Sequence, residues 1–336
     1  MNLSHLGWDG HWTALITDFP DVFSAYQPFR ILADYGQTFL ISDGVQEDIL
    51  NRPPRWDGVV GDWILVPPAS SPTSPIRLPR RNQLGRQNSD HTQVLAANLN
   101  WIGLMTSANR DFNLSRLERM ILLCQNQDIQ PIIILNKIDL SADNAFIKEL
   151  ETWFPHRNHF VISVKTGDGL DKFEKWIAHQ GTGMLLGSSG VGKSSLTNRL
   201  LGQTVQATQN TQANDRGRHE TTHRHLFPLP NGSCLIDAPG IRLVPLNTDS
   251  ALDPLSLWGR EAGFACRFSD CSHLTEPGCG YTALFQQHPE MRKRWEKRLR
   301  EQHHYLDQDP LGRQRKKAED KILHRAIRQS QKFRKK

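Results

Sequence analysis

The sequence predicts an α/β fold built on a doubly wound parallel sheet, with a small β-barrel before it and a mainly helical, metal-binding segment after it. Three observations carry this reading. Between residues 83 and 250, short apolar runs alternate with stretches of helical period, as strands and crossover helices do. The first 82 residues show no long helical periodicity; β-branched and aromatic segments are cut by Gly, Pro and Asp turns. Three of the 5 cysteines, Cys266, Cys271 and Cys279, fall close together beside His273.

In chain order, Thr38-Phe39-Leu40-Ile41 and the run from Val59 to Val66 are the clearest strands of the barrel. The stretch from Pro67 to Pro75 is rich in breakers and poor in apolar side chains, so it reads as a loop or linker, with the domain boundary near Asn82. Buried strands are then expected at Trp101 to Met105, Pro131 to Leu135, Phe160 to Ser163, Met184 to Leu186 and Cys234 to Ile236. Amphipathic helices are expected at Leu114 to Gln125, Asn144 to Trp153, Leu170 to His179 and Lys193 to Leu201. The domains expected are 1–82, 83–250 and 251–336, the last ending in a basic tail.

Bulk properties narrow the class. A length of 336 residues suits two domains, or three if one is small. No apolar run approaches the roughly 18 residues of a membrane span, and the start from Met1 to Trp8 lacks a basic region followed by an apolar one. A cytoplasmic protein is expected, with no membrane partner, and a monomer. An odd cysteine count with three clustered thiols points to metal binding in a reducing compartment rather than to disulfides. Residues 291–336 hold 17 Lys/Arg against 6 Asp/Glu; this net +11 leaves −5 on the rest of a chain whose total is +6. A polyanionic partner, RNA first, is one reading of that tail; a solvated helix that aids solubility is the other.

The chemistry is carried by four segments. Gly187-Ser188-Ser189-Gly190-Val191-Gly192-Lys193-Ser194 fits a phosphate loop: glycines let backbone N–H groups curl around phosphate oxygens at a helix N-terminus. Lys193 would reach the β- and γ-phosphates, and the Ser194 hydroxyl would ligate Mg²⁺. Asn136-Lys137-Ile138-Asp139 follows the apolar run 132–135, at the carboxyl end of a strand, where open sheets bind ligands. Asp139 can accept hydrogen bonds from guanine N1–H and the exocyclic amine, donors that adenine does not offer there. Asn136 would buttress the loop and Lys137 would pack its stem on the base. Ser163-Val164-Lys165 ends the next strand as a second base-contacting loop, with valine where alanine is usual. Asp237-Ala238-Pro239-Gly240 closes a further strand; its aspartate would hold Mg²⁺ through water and the Gly240 N–H would sense the γ-phosphate. Ile241 follows, where many GTPases place a water-orienting glutamine.

These segments come in rotated order. A guanine-nucleotide domain normally opens with its phosphate loop and closes with its base-reading loop, whereas here the base readers come first, so the domain is circularly permuted. The γ-phosphate sensor then runs directly into the C-terminal part. There, three thiolates and one imidazole suit a closed tetrahedral Zn²⁺ site with a structural role. Cys124 and Cys234 read as core thiols.

The motif order, the stretch from Arg216 to His223 and the spacing of Cys266, Cys271, His273 and Cys279 resemble the RsgA/YjeQ family of small ribosomal subunit biogenesis GTPases. The resemblance covers nearly the whole chain. It implies an N-terminal OB-fold and a C-terminal zinc domain around a permuted GTPase core. It also implies binding to the 30S subunit and its 16S rRNA late in maturation, hydrolysis of GTP to GDP stimulated by that subunit, and release on hydrolysis. Carried over by position, Gly187 to Ser195 would bind phosphates. The family's switch has three threonines after Gly-Arg-His; here Glu220 takes the first place, leaving Thr221 or Thr222 to contact Mg²⁺. His219 keeps its position as the candidate catalytic group; a histidine that only shapes the loop or contacts RNA is the alternative. Two rival functions remain at this level: an RNA-binding adaptor without turnover, and a GTPase of another large assembly such as the 50S subunit or a membrane complex.

Overall fold

The computed structural model describes residues 2–17, 26–68, 74–87, 92–125, 127–141, 143–154, 157–178, 180–202, 224–237, 266–268 and 271–308. The chain forms two compact units, 1–247 and 248–336.

The first unit opens with a 3-10 turn at Leu3–Leu6 and helix α1 at Gly10–Thr17. Strands β1 (Gln27–Asp34), β2 (Thr38–Ser42), β3 (Glu47–Asn51), β4 (Trp63–Val66) and β5 (Ile76–Arg77) follow. All pair antiparallel, in the order β3, β2, β1, β4, β5. Alternate residues of a strand share a face, so Phe29 and Ile31 of β1 meet Phe39 and Ile41 of β2 and Ile64 of β4 in one apolar cluster. Among the described residues no pairing joins β3 to β5.

A hairpin of β6 (Gln83–Gln87) and β7 (Thr92–Ala97) leads into the α/β part. There the chain runs β8 (Trp101–Ser107), α2 (Leu114–Gln125), β9 (Gln130–Asn136), α3 (Ala145–Trp153), β10 (His159–Val161), α4 (Leu170–Ile177), β11 (Thr182–Gly187), α5 (Lys193–Leu201), β12 (His225–Pro228) and β13 (Cys234–Asp237). Strands β10, β9, β8, β11 and β13 lie parallel in that order. A parallel sheet covered on both faces needs continuous apolar runs rather than alternation, and every residue of β8 is buried. Trp101, Met105, Ile132, Ile134, Phe173 and Leu185 belong to its core. Gly183 is required there: a Cβ on it would lie 2.0 Å from the Trp101 ring.

The sheet does not stop at the α/β part. β12 runs antiparallel to β13 and touches β1 through Ala33 opposite His225, so the N-terminal strands continue the same sheet within one compact unit. Arg30 seals this junction. Its guanidinium is buried over the Trp63 ring (5.1 Å) and donates to the carbonyls of Leu6, Gly61 and Asn98. Burial pulls its pKa down to about 10, which still leaves it charged at neutral pH.

The second unit contains α6 (Thr282–Gln287) and α7 (Pro289–Gln308). Pro289 opens α7, where its missing N–H costs nothing. Among its described side chains, Met291 and Trp295, one turn apart, are buried.

Candidate functional site

The predicted nucleotide residues that are described gather at the carboxyl ends of the parallel strands: Asn136 on β9, Ser163 after β10, Gly187 on β11 and Asp237 on β13. Ligands of open α/β sheets bind along this edge. Strand polarity brings together segments up to 101 positions apart.

The base corner is held by side-chain hydrogen bonds. Buried Asn136 donates from Nδ2 to the Val191 carbonyl (2.9 Å) and accepts the Val164 N–H on Oδ1 (3.1 Å), tying the phosphate loop to both base loops. Gly192, at φ 106°, makes room for this; a Cβ on it would lie 2.3 Å from Asn136 Nδ2. Lys137 takes the left-handed conformation (φ 63°) and its Nζ donates to the Gly190 carbonyl (2.6 Å). Asp139 sits with Ile138 in a 3-10 turn, and its Oδ1 accepts the Ser163 hydroxyl (2.7 Å). Its other oxygen lies 4.0 Å from the exposed ammonium of Lys165. The carboxylate is therefore held in place by its neighbours.

At the phosphate corner the chain turns from β11 through Gly190 (φ 77°) and Gly192 into α5. Ser189 and Gly190 are exposed at the loop tip, while Val191 is anchored in the core. The Lys193 ammonium donates to the carbonyls of Gly187 (2.9 Å) and Ser188 (2.8 Å). Burial lowers the Lys193 pKa, opposed by the carboxylates of Asp237 and Asp111. Ser194 and Ser195 lie in the first turn of α5, where the helix dipole favours anions. Hydroxyl and carboxylate oxygens such as those of Ser194 and Asp237 suit a hard cation like Mg²⁺. His219, Thr221, Thr222, Gly240 and Ile241 lie outside the described residues.

The four predicted metal ligands converge. Ligand atoms of Cys266, Cys271, His273 and Cys279 all lie within 4.8 Å of one another, with the Cys266 sulfur 3.3 Å and the Cys279 sulfur 3.8 Å from His273 Nδ1. Three sulfurs and one nitrogen around a point are the donor set of a closed Zn²⁺ site. His273 is placed by a left-handed backbone (φ 62°) and by the rings of Tyr281 (4.3 Å) and Trp295 (5.9 Å). Buried Glu276 staples the loop, accepting from the N–H groups of Ser272, Leu274 and Thr275 and from the Ser272 hydroxyl. Burial alone would raise its pKa, but these donors hold it below the usual carboxylate range. Trp295 Nε1 donates to the Ser272 carbonyl (2.8 Å), fixing α7 to the cluster.

One interaction was not anticipated from the motifs. The Ser188 hydroxyl donates to Asp111, in the loop after β8, and Asp111 is paired with Arg116 (2.9 Å). Asp111 belongs to none of the signature segments; the signal for it was its place just beyond the carboxyl end of the middle strand.

A parallel sheet with a phosphate loop on β11 and a hydrogen-bonded base reader earlier in the chain, on β9, defines a circularly permuted GTP-binding domain. The chain belongs to the RsgA GTPase family, whose model matches residues 77–247, and is a GTP-hydrolysing enzyme. It is 34% identical over 308 residues to the small ribosomal subunit biogenesis GTPase RsgA of Xanthomonas euvesicatoria pv. vesicatoria, covering 84% of this chain and 82% of the relative. It is 37% identical over 238 residues to small ribosomal subunit biogenesis GTPase RsgA 2 of Lactiplantibacillus plantarum, covering 68% and 66%. In fold it is similar to crystal structures of YjeQ from Thermotoga maritima (TM-score 0.63, 20% identity, 82% of this chain and 98% of that one) and of YloQ, a circularly permuted GTPase (TM-score 0.58, 19% identity, 83% and 96%).

Proposed function

We propose that this chain is a cytoplasmic, monomeric GTPase that binds the 30S ribosomal subunit late in its maturation, hydrolyses GTP when stimulated by it, and leaves in the GDP state. The names of its relatives support the small subunit as partner. The observation that carries the reading is the hydrogen-bonded base and phosphate corner in a unit that ends just past the γ-phosphate sensor, before a metal-cluster unit bearing the +11 basic segment. Residues 1–82 are assigned an OB-fold, 83–250 the GTPase domain and 251–336 the zinc domain.

Asp139 accepts from guanine N1–H and amine, oriented by Ser163, while Asn136, Ile138, Val164 and Lys165 shape the pocket around the base. The N–H groups from Ser188 to Ser195 cradle the phosphates. Lys193 leaves the carbonyls of Gly187 and Ser188 for the β- and γ-oxygens. Ser194, Thr221 or Thr222, and Asp237 would hold the Mg²⁺ that accompanies GTP, which would supply charge neutralisation at the phosphates. Gly240 reports the γ-phosphate. Ile241 cannot orient water, so intrinsic turnover is slow, and His219 takes that role when the subunit is bound. Stabilising groups of this kind are worth roughly a thousand- to a hundred-thousand-fold in other GTPases.

The experiment is single-turnover hydrolysis with and without 30S subunits. Wild type is expected to be stimulated, and His219→Ala to lose stimulation while keeping its GTP affinity. Absence of stimulation in the wild type refutes the reading; normal stimulation in the variant removes His219 from catalysis. Asp139→Asn should weaken GTP binding and favour xanthine nucleotides, and equal wild-type affinity for ATP and GTP would refute the base assignment.

A further inference from the structure

We infer that Asp111 is a positioning residue for the phosphate loop, acting through Ser188 and charge-compensated by Arg116. The inference rests on the GTP-binding reading of this site.

The loop after β8 is rigid in its hydrogen bonding. Asn109 Oδ1 accepts both the Ser107 hydroxyl (2.9 Å) and the Asp111 N–H (2.9 Å), and the Ala108 N–H donates to the Asn136 carbonyl (2.9 Å). Phe112 packs on Phe146 of α3 (5.0 Å), and Asn113 caps α2, accepting the Arg116 N–H (2.9 Å). Asp111 is thus held on both sides by residues with fixed places. One carboxylate oxygen accepts the Ser188 hydroxyl; the other accepts Arg116 Nη1.

A carboxylate beside a polyphosphate site is costly unless something offsets it. It opposes the bound anion, and it draws on the lysine that must bind that anion; Asp111 acts on Lys193 in this way alongside Asp237. Its persistence here is explained if the hydrogen bond is what it contributes. Ser188 follows Gly187, so its peptide lies where β11 gives way to the loop. Its carbonyl accepts Lys193 while its hydroxyl is drawn the other way, to Asp111. Before nucleotide binds, fixing both ends of Ser188 sets the orientation of the amides that follow, which the loop must aim inward to bind phosphate, and the bond to Asp111 keeps that orientation once Lys193 has turned to the phosphates. Arg116 neutralises the remaining carboxylate oxygen, which limits repulsion of the ligand.

The test uses the full zinc-loaded protein and displacement of a fluorescent GDP by GDP or a non-hydrolysable GTP analogue. A hydrogen bond to a charged group of this size corresponds to roughly a tenfold change in affinity. Asp111→Ala and Ser188→Ala should each weaken both nucleotides about tenfold, and the double variant should be no weaker than either single one. Asp111→Asn, which keeps an acceptor, and Ser188→Thr, which keeps the hydroxyl, should restore most of the affinity. Discrimination between GTP and ATP should not move, because Asp139 is untouched. Additive losses would show that the two residues do not act as one unit. Wild-type or tighter binding by Asp111→Ala would show that the carboxylate only repels phosphate. A failure of wild-type guanine binding would instead sink the nucleotide reading on which the inference rests.

Discussion

The two compact units treat positive charge in opposite ways. The first 82 residues contain six arginines, no lysine and nine acidic residues. Arg52 pairs with Asp34, Arg77 with Asp57, Arg80 with Asp62 and Arg81 with Asp9, while Arg30 is spent on buried carbonyls. Helix α7 of the second unit instead presents Arg292, Lys293, Lys297 and Arg300 to solvent, with Glu296 as the acidic partner of Arg292 and Arg300. These five arginines are therefore structural, and the four basic side chains of α7 lie where a polyanion can reach them. The units differ equally in what holds them. The first has a large apolar core shared by the sheet and its helices; among its described residues the second buries few large side chains around a Cys/His cluster.

The largest effect should come from the metal. Apparent binding free energies of structural Zn²⁺ sites reach roughly 10–16 kcal/mol near neutral pH. Chelation, or Cys271→Ser, is expected to unfold the second unit, seen as lost helicity and protease sensitivity beyond residue 248, while guanine-nucleotide affinity of the first unit persists. If both units melt together on chelation, the metal holds the first unit as well and the contrast between them fails.

Arg80 is the sharpest case in the first unit. Its guanidinium grips Asp62 with two bonds of 2.7 Å, and the Asp62 side chain is fully buried. Burial lowers and the Asp62 partnership raises the Arg80 pKa, with a net rise. Removing one member of such a pair strands the other, at about 3–5 kcal/mol. Arg80→Ala should show that loss in denaturant unfolding of the first unit, yet leave RNA affinity unchanged. A large fall in RNA affinity at preserved stability would contradict the structural role.

A smaller, salt-dependent effect is expected from the basic segment. Deleting 291–336 also removes Met291 and Trp295, so the cleaner variant neutralises Arg292, Lys293, Lys297 and Arg300 together. Binding to 16S rRNA should weaken, and the dependence of its logarithm on the logarithm of salt should flatten by about 0.7–0.9 for each phosphate that is no longer neutralised. Nucleotide affinity of the free protein should not move. An unchanged salt slope would leave α7 as a solvated helix.

What the sequence disclosed follows from the range of the forces involved. The phosphate loop, Asn136 to Asp139 and the Cys/His cluster are local patterns whose chemistry demands fixed spacings, so they were legible, as were helix α2 at its observed bounds and α3 but for its cap at Asn144. The continuity of β12 with β1 was not: it rests on a pairing between residues 33 and 225, which no local pattern encodes. The same holds for Arg30, whose three acceptors belong to separate turns, and for Asp111, whose partner is 77 positions away. Charge counting likewise found the basic tail but could not reveal that Arg30, Arg52, Arg77, Arg80 and Arg81 are already occupied.

The smallest effect concerns the junction itself. His225 stacks on Phe227 (4.3 Å) on β12, opposite Ala33 of β1 and Asp237 of β13. Burial holds its pKa below the ordinary value of about 6.5. The unfolded chain then takes up the proton first as pH falls, so the stability this histidine contributes is complete above about pH 6.5 and declines on acidification toward its folded pKa. Thermal unfolding of the first unit should shift down by roughly one or two degrees across that window, and His225→Gln, which cannot titrate, should flatten this part of the profile. A variant whose profile runs parallel to wild type would mean that the acid sensitivity arises elsewhere. A flattened profile would show that the seam between the N-terminal strands and the strand leading to Asp237 responds to proton uptake.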